Sequence, residues 1–235
     1  MKLERAGGAY LAARERRHRL ELMGFAGAGL VTSVAVSLAV NPLAGILAGV
    51  AAGSMAGPAL GRLRNVRAGR LGEASVTELL GRLSDDYFLV NDVMLPYYRG
   101  NVDHVLIGPF GVMAIETKRW AGSIRVRNNR WRVNGIPRGD VARQVTEGAL
   151  AVKEFLSRAH PELGRSLLRC VDGVVVLTHP LCRVKVDRSW APVARCAELL
   201  SLIEAKEVRP RYTREVGHML AGALSRGARE SVLTA

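Results

Sequence analysis

The stretch Asn101–Lys118, NVDHVLIGPFGVMAIETK, decides the fold of this chain. Two apolar runs in it flank the sequence Gly-Pro-Phe-Gly at positions 108–111, which is the signature of a β-hairpin. The two runs pair in the same register whether the turn has two residues or four. Counting back along both strands, this register predicts that Asp103 lies opposite Glu116.

Two opposed carboxylates are unfavourable in a sheet. Directly opposed side chains in an antiparallel pair have Cβ atoms roughly 4.5–5.5 Å apart, and like charges there repel. A hairpin that only had to be stable would not pair Asp103 with Glu116, whereas a site for a divalent cation would. Lys118 projects from the same face as Glu116, and His104, which faces the other way, is expected in the core. The pattern predicts two metal ligands and an ammonium that offsets phosphate charge; the alternative is a solvated rim.

The composition favours an anionic partner. The 235 residues carry a formal net charge of +13, which is typical of proteins that bind nucleic acid or an acidic membrane surface. The three cysteines, Cys170, Cys182 and Cys196, lack metal-ligand spacing and are expected to be reduced thiols. The five histidines form no paired zinc motif either.

A long uncharged stretch predicts a membrane segment. The forty residues from Leu22 to Gly61 contain no charge, whereas one spanning helix needs about 20 apolar residues. Asn41-Pro42 is a turn signal in the middle. We therefore expect a transmembrane helical hairpin over residues 22–61, with helices at about 22–40 and 43–60. A signal peptide has a shorter apolar core, of about 7–15 residues, and the missing charges argue against a buried soluble helix pair.

The same stretch carries small residues at every fourth position, which let helices pack closely in lipid and would also allow a homo-oligomer. They are Gly29, Ser33 and Ser37 in the first half, and Gly45, Gly49, Gly53, Gly57 and Gly61 in the second. Arginines flank both ends, so the positive-inside rule predicts a cell-membrane protein with two passes and both termini cytoplasmic. Residues 1–21 are expected to be a cytosolic tail, or equally a short amphipathic helix on the inner leaflet.

The rest of the chain alternates helical and strand patterns, which indicates an α/β domain with a mixed sheet. A domain over residues 66–180 is expected to contain a helix, several strands and a long helix capped by Asp140. Asn128-Asn129 predicts a primed turn in a second hairpin. Residues 181–235 are expected to be a helical extension that packs on this domain, with helices at about 193–207 and 213–226.

Several segments together resemble the nuclease-related domain family, NERD, which is grouped with the restriction-endonuclease-like PD-(D/E)xK superfamily. The resemblance runs from about Arg67 to Thr178. Its carriers are Gly69–Glu73 (GRLGE), Asn91–Pro96 (NDVMLP), Val102–Gly111 (VDHVLIGPFG), Glu116–Lys118 (ETK), Trp120–Gly122 (WAG), Trp131 and Arg143-Gln144. The resemblance implies a mixed sheet flanked by helices and hydrolysis of phosphodiesters in nucleic acid, expected to be DNA, with Mg²⁺ or Mn²⁺. Val102 departs from the superfamily pattern, which often has Pro before the first acid.

The resemblance also implies a role for each site residue. Asp103 and Glu116 would hold the metal, and Lys118 would orient the attacking water or stabilise charge on the phosphorus. Glu73 would support the metal from the first helix, although a first-turn glutamate that complements the helix dipole is nearly as good an interpretation. Gln144 would position the water or contact the backbone.

Four arginines crowd the second predicted hairpin beside Trp131, namely Arg125, Arg127, Arg130 and Arg132. A basic ribbon with an aromatic residue can hold a phosphate backbone and stack on a base. A solvated face, or one turned toward anionic lipid, is equally supported. Trp120 and Trp131 themselves are expected to anchor the core or a strand edge.

The sequence therefore predicts a membrane-anchored, cytosol-facing, nuclease-like protein. One alternative is a catalytically inactive module, tethered to the membrane, that binds nucleic acid or protein. Another is a structural membrane protein whose glycine-lined hairpins oligomerise. The enzyme is favoured because all five acidic, basic and amide positions of the site are present.

Overall fold

The computed structural model describes residues 1–5, 9–54, 56–163, 168, 171–206 and 211–233. The chain divides into two compact units, one formed by residues 9–70 and the other by residues 1–8 together with 71–235. The larger unit therefore precedes and follows the smaller one in the chain. Each unit is described by itself.

The smaller unit is a helical hairpin. Its helices are α1 (Ala9–Ala39), α2 (Pro42–Ser54) and the first part of α3 (Ala56–Leu80), which continues into the larger unit. The Asn41 side chain accepts a hydrogen bond from the backbone N–H of Ala44 at 2.8 Å. Asn41 thus caps α2, whose first residue is Pro42, and the break predicted at Asn41-Pro42 is confirmed.

Small residues form the contact between α1 and α2. The Ser33 hydroxyl donates a hydrogen bond to the Gly45 carbonyl at 2.9 Å. A Cβ atom added to Gly45 would lie 1.7 Å from Ser37 Oγ, and one added to Gly49 would lie 3.0 Å from Ser33 Oγ. Because no side chain larger than hydrogen fits at Gly45, the glycines bring the two backbones together.

The large apolar side chains of the hairpin point away from this contact. Two helical stretches, Ala12–Ala39 and Pro42–Leu80, are long and apolar enough to cross a membrane by length and composition. The exposed apolar side chains include Leu30, Val31, Leu38, Leu43, Leu47 and Val50. A soluble helix pair would turn these side chains inward, so their exposure agrees with the predicted transmembrane hairpin.

The charged end of the same unit is joined by ion pairs. Glu15 of α1 is buried and accepts hydrogen bonds from Arg19 at 2.6 Å, from Arg67 at 3.2 Å and from Arg70. Part of the basic flank of the apolar stretch is therefore neutralised by an acid on α1, rather than free to meet anionic lipid.

A six-stranded mixed sheet is the centre of the larger unit. Its strand order is β1-β2-β3-β4-β8-β10, with β2, β3 and β4 antiparallel and the other three pairings parallel. The strands are β1 (Lys2–Arg5), β2 (Phe88–Met94), β3 (Asn101–Gly108), β4 (Gly111–Lys118), β8 (Asp172–Leu177) and β10 (Val193–Arg195).

A second sheet has the order β7-β6-β5-β9, in which β5 and β9 are parallel. Its strands are β5 (Gly122–Arg127), β6 (Arg130–Val133), β7 (Ile136–Arg138) and β9 (Cys182–Asp187). Asn128 and Asn129 have positive φ angles of 48° and 62°, as a primed turn requires, so the hairpin predicted there is confirmed.

Helices cover both faces of the six-stranded sheet. Apolar residues of α4 (Val141–Ala159) and α6 (Arg214–Leu233) pack on one face, and those of α3 and α5 (Leu199–Glu204) pack on the other. The start of α4 also covers the second sheet. Asp140 accepts a hydrogen bond from the Arg143 backbone N–H at 2.9 Å and caps α4 as predicted. The architecture is the expected α/β fold with mixed sheets.

The two ends of the chain differ from the sequence-based expectation. Within residues 1–21, Lys2–Arg5 forms an edge strand, with the backbone N–H of Lys2 donating to the Tyr87 carbonyl at 2.8 Å, and α1 begins at Ala9. Residues 181–235 contain two strands besides the helices. The segment 193–207, predicted to be one helix, begins with β10 because its backbone pairs with β8. Cys182 and Cys196 are free thiols, whereas Cys170 lies outside the described residues.

Candidate active site

The candidate site lies where the pairing of β3 with β4 stops and its pairing with β2 is interrupted. The turn between β3 and β4 has two residues, and the ladder runs from the Gly108–Gly111 pair to the His104–Ile115 pair. Asp103 and Glu116 follow one position further on each strand, as the register predicted. There the Asp103 carboxylate accepts a hydrogen bond from the backbone N–H of Thr117 at 2.7 Å.

The other neighbour of β3 is irregular at the same level. Asp92 of β2, which would face Asp103, has a positive φ of 55° and leaves a gap in the ladder. Asn91, just before it, contacts His104 through a side-chain hydrogen bond of 2.7 Å. His104 is buried, and burial lowers its pKa to about 3, so it is neutral. The expected core histidine is confirmed.

The two predicted metal ligands are buried and interact with each other. Asp103 is 8% exposed and Glu116 is 4% exposed. Burial, followed by the charges of Glu116 and Glu73, raises the pKa of Asp103 well above its usual value. Burial also raises the pKa of Glu116, against the opposing effect of Lys118. The alternative of a solvated rim is therefore wrong, and the pair is an electrostatically unfavourable arrangement that a cation would relieve.

Lys118 and Gln144 close the site on one side. The Lys118 ammonium donates to a carboxylate oxygen of Glu116 and to the side-chain oxygen of Gln144, the latter at 3.3 Å. Burial alone would lower the pKa of Lys118, but the charges of Glu116 and Asp103 and the hydrogen bond to Glu116 raise it. Lys118 is therefore a fixed positive charge at the edge of the acid pair.

Glu73 reaches the site from α3. Its charge raises the pKa values of both Asp103 and Lys118. The preceding Gly72 allows this approach, since a Cβ atom there would lie 2.9 Å from Thr178 Oγ1. The alternative interpretation of Glu73, a first-turn residue that complements the helix dipole, is wrong because α3 begins at Ala56, far upstream.

Tyr98 is a neighbour of the site that the sequence did not reveal. Its hydroxyl donates to the Gln144 carbonyl of α4 at 3.3 Å. Burial, followed by the charges of Glu116, Glu147 and Asp103, raises the pKa of Tyr98 to about 12. The phenol therefore stays protonated and can act as a hydrogen-bond donor. Its irregular loop gave no pattern that predicts this position.

Asp103 and Glu116 suit a hard divalent cation whose remaining ligands are water and substrate phosphate. Among the described residues, no group of three or more His, Cys, Asp or Glu side chains is arranged as a metal site. Mg²⁺ usually takes one or two carboxylates and completes its shell with water and substrate phosphate. The Asp103–Glu116 pair, of which Lys118 contacts only Glu116 through a hydrogen bond, fits that requirement.

Comparison with known proteins assigns the segment that carries this site. Residues 68–178 match the family model described as "Nuclease-related domain". The chain contains a NERD domain. No curated protein and no solved structure gives a significant match to the chain. All five predicted site residues lie inside the matched segment.

The NERD domain also contains the predicted basic hairpin. Arg125 pairs across the strands with Arg132, and Arg127 pairs with Arg130, and all four side chains are exposed. Trp131 is only 1% exposed and packs edge-on against Trp120, with ring centroids 6.2 Å apart. Trp131 cannot stack on a base, which confirms that it anchors the core and corrects the proposal of a base-stacking ribbon.

Proposed function

We propose that this chain is a membrane-anchored nuclease that hydrolyses phosphodiesters in nucleic acid, with DNA as the expected substrate. The observation that supports this proposal best is the buried, mutually repelling pair Asp103 and Glu116 beside Lys118. Such a pair destabilises a sheet, whereas a site that cleaves phosphodiesters would use both carboxylates to hold a metal ion and the ammonium to offset phosphate charge. The NERD match supports the nuclease-related class and leaves the reaction to be tested.

Asp103 and Glu116 would hold Mg²⁺ or Mn²⁺. A bound divalent ion would supply Lewis-acid activation of a phosphate and a more acidic water. Glu73 would add negative charge from α3. The affinity of the pair for a cation follows from the same burial and repulsion that raise the two pKa values, because a bound cation offsets both.

Lys118 and Gln144 would act on the substrate side of the acid pair. With the carboxylates engaged by metal, the Lys118 ammonium can turn from Glu116 toward a non-bridging phosphate oxygen or an attacking water. The Gln144 amide, which now accepts from Lys118, can hold the same water in place. Both groups come from rigid elements, β4 and α4, which suits preorganised catalysis.

The hairpin would anchor this site at the cytoplasmic face of the cell membrane. Residues 9–70 lie between two segments of the same compact unit. If their apolar helices enter the membrane, both ends must stay on the side of that unit, so the number of passes is even. Two passes with both termini cytoplasmic satisfy this condition and the positive-inside rule.

A homo-oligomer through the glycine-lined helices remains a prediction. Fewer of the glycines are available for it than the sequence suggested. Gly45 and Gly49 are used inside the hairpin. An oligomer would have to use Gly53, Gly57 and Gly61, which no described residue approaches closely. The same reasoning applies to the alternative of a purely structural membrane protein.

The second candidate function is a tethered module that binds nucleic acid without cutting it. The exposed arginine pairs of the second sheet favour this alternative, since they would hold a polyanion without help from the acid pair. The two functions differ in whether binding leads to cleavage.

The test uses the full chain in a neutral detergent, because β1 belongs to the sheet and an N-terminal truncation would remove it. Supercoiled plasmid is incubated with Mg²⁺ or Mn²⁺ and with wild type, Asp103→Asn/Glu116→Gln, or Glu154→Gln. Glu154 is an exposed acid paired with Arg158, so its change is a matched control. Cleavage by wild type and the control but not by the double variant supports the enzyme. Equal plasmid retention with no cleavage by any of them overturns it in favour of the binding module.

A further inference from the structure

The exposed face of the second sheet carries more positive charge than the arginine hairpin alone. In β5, Arg125 and Arg127 alternate with the buried residues Ile124 and Val126, so both arginines point outward. In the parallel neighbour β9, Arg183 and Lys185 are exposed, next to the buried Cys182 and the half-buried Val184. Lys185 pairs with Arg125, at the strand position where Arg132 pairs from the other side.

This arrangement places a row of three cations, Lys185, Arg125 and Arg132, across three adjacent strands. A second row contains Arg127 and Arg130, together with the single acid Asp187, which lies 3.8 Å from Arg127. Arg183 stands two residues before Lys185 and is exposed. Two-residue steps along a strand separate neighbouring rows by roughly 6.6 Å. We call the face formed by Arg125, Arg127, Arg130, Arg132, Arg183 and Lys185 the basic face.

Opposed like charges destabilise a sheet, so the basic face needs a compensating partner. Charge complementarity requires that partner to be a polyanion. The only large aromatic residue of this hairpin, Trp131, is buried beneath it. The six exposed side chains of the basic face are all cations, which suits phosphate contacts along a duplex backbone. One exposed aromatic residue, Trp190, adjoins the hairpin turn, where its backbone N–H donates to Asn129 Oδ1 at 2.7 Å, so the test compares duplex with single-stranded DNA.

The basic face begins beside the candidate active site. Only the three residues 119–121 separate Lys118, at the end of β4, from Gly122, at the start of β5. The other strand of the face, β9, begins close to the end of β8, and the Gly122 backbone N–H donates to the Leu181 carbonyl at 3.2 Å. The two strands that carry the basic face, β5 and β9, therefore begin close to the strand end that carries Lys118.

We propose that the basic face binds the phosphate backbone of duplex DNA next to the acid site, and that β9 contributes Arg183 and Lys185 to it. Both residues lie beyond the segment matched by the NERD family, so this surface combines the domain with the part of the chain that follows it. The inference rests on the proposed function for its choice of polyanion. Because the basic face would contact phosphates, we expect it to bind duplex DNA of any base sequence.

The test measures binding without cleavage. The whole 235-residue chain carrying Asp103→Asn is kept in neutral detergent with EDTA, and fluorescence anisotropy follows a labelled short duplex over a range of salt concentrations. The variant Arg183→Gln/Lys185→Gln is compared with Arg82→Gln/Arg226→Gln, which removes the same charge at exposed positions elsewhere. Intrinsic tryptophan fluorescence checks that each variant is folded.

Each phosphate contact contributes about 0.9 to the slope of log K against log salt concentration for duplex DNA. The β9 variant is expected to lose about two contacts, which reduces the slope by roughly 1.8, and the control variant is expected to keep the slope. The duplex is also expected to bind more tightly than a single strand of the same sequence. An unchanged slope, an equal loss in the control, or tighter single-strand binding overturns the inference.

Two further outcomes separate this inference from the proposed function. A reduced slope supports the basic face even where wild type cuts no plasmid, which would leave a binding module. Plasmid cleavage by wild type together with an unchanged slope overturns the basic face and leaves the nuclease intact. A third outcome would point to lipid. If Arg183→Gln/Lys185→Gln changes the intrinsic tryptophan fluorescence of the protein in nanodiscs of anionic lipid, and leaves duplex binding unchanged, the partner of the basic face is lipid and the inference fails.

Discussion

The Asp103 carboxylate accepts a hydrogen bond from the backbone N–H of Thr117 at 2.7 Å, one position beyond the last regular pair of the β3–β4 hairpin. A side chain thus replaces the backbone as partner at the point where the strands separate. The hydrogen bond fixes the carboxylate beside Glu116, while burial of both acids makes the arrangement costly. The fold therefore keeps the two carboxylates together although their burial and mutual repulsion oppose this arrangement.

Asp103→Asn is predicted to stabilise the metal-free protein. Asn keeps an oxygen that accepts from Thr117, and it removes the buried charge that faces Glu116. We expect a gain of about 1–2 kcal/mol, or roughly 2–8 °C in Tm. Thermal unfolding in EDTA, followed by tryptophan fluorescence, measures this gain. Glu204→Gln, at an exposed acid of α5, is the control with no expected change. A lower Tm for Asp103→Asn would show that the carboxylate stabilises the fold without metal.

The amount by which the acid pair lowers the free energy of unfolding is predicted to depend on pH. The folded-state pKa values of Asp103 and Glu116 are raised above the ordinary 3.8 and 4.5, so the folded protein retains protons that the unfolded chain has released. Stability is then lost as pH rises from about 4 toward the raised values, and it stays lower above them. The advantage of Asp103→Asn over wild type in EDTA should therefore grow as pH rises from about 4 toward the raised pKa values, and shrink when Mg²⁺ is added. A pH-independent difference would contradict the assigned direction of the shifts.

Tyr98→Phe is predicted to slow cleavage without weakening metal binding. The hydroxyl of Tyr98 restrains the turn of α4 that carries Gln144, and it does not touch the acid pair through any described hydrogen bond. Loss of one hydrogen bond of about 0.5–1.5 kcal/mol would lower the rate roughly 2–10-fold. Cleavage rates and calorimetric Mn²⁺ titrations distinguish this positioning role from a structural one. A parallel loss of metal affinity would place Tyr98 in the metal site instead.

Gly45→Ala is predicted to separate the two apolar helices, whereas Gly53→Ala is not. The added Cβ at Gly45 would overlap the Ser37 hydroxyl and the Ser33 carbonyl, while the one at Gly53 would meet nothing within 4 Å among the described residues. The expected cost at Gly45 is about 1–3 kcal/mol. Mobility in SDS gels reports it, because an opened hairpin binds more detergent and migrates more slowly. Equal mobility of both variants would mean that α1 and α2 do not pack through Gly45.

The sequence predicted those parts of the molecule whose signals are local. The Gly-Pro-Phe-Gly turn fixed the register that brings Asp103 beside Glu116, and Asp140 and Asn128-Asn129 marked a cap and a turn. These features depend on a few adjacent residues, so their chemistry can be read without the rest of the chain.

The remaining features depend on contacts between distant parts of the chain. Strand β1 forms because it pairs with the edge of β2, and the sequence of residues 2–5 contains no strand pattern that predicts this pairing. The long α3 helix, which moves Glu73 away from any helix start, has no stop signal near residue 66 to recognise. Strand β9 did have one, since the segment 182–187 (CRVKVD) alternates apolar and charged residues with the period of a strand. That alternation would have revealed Arg183 and Lys185.

The measurement that tests the central claim most directly is calorimetric titration of the full chain in detergent with Mn²⁺, for wild type and Asp103→Asn/Glu116→Gln. The account predicts one saturable site in wild type, with protons released on binding because the raised pKa values fall when the cation arrives. It predicts no such site in the double variant. Absence of metal binding by folded wild type, or equal binding by both proteins, would contradict a metal site at Asp103 and Glu116.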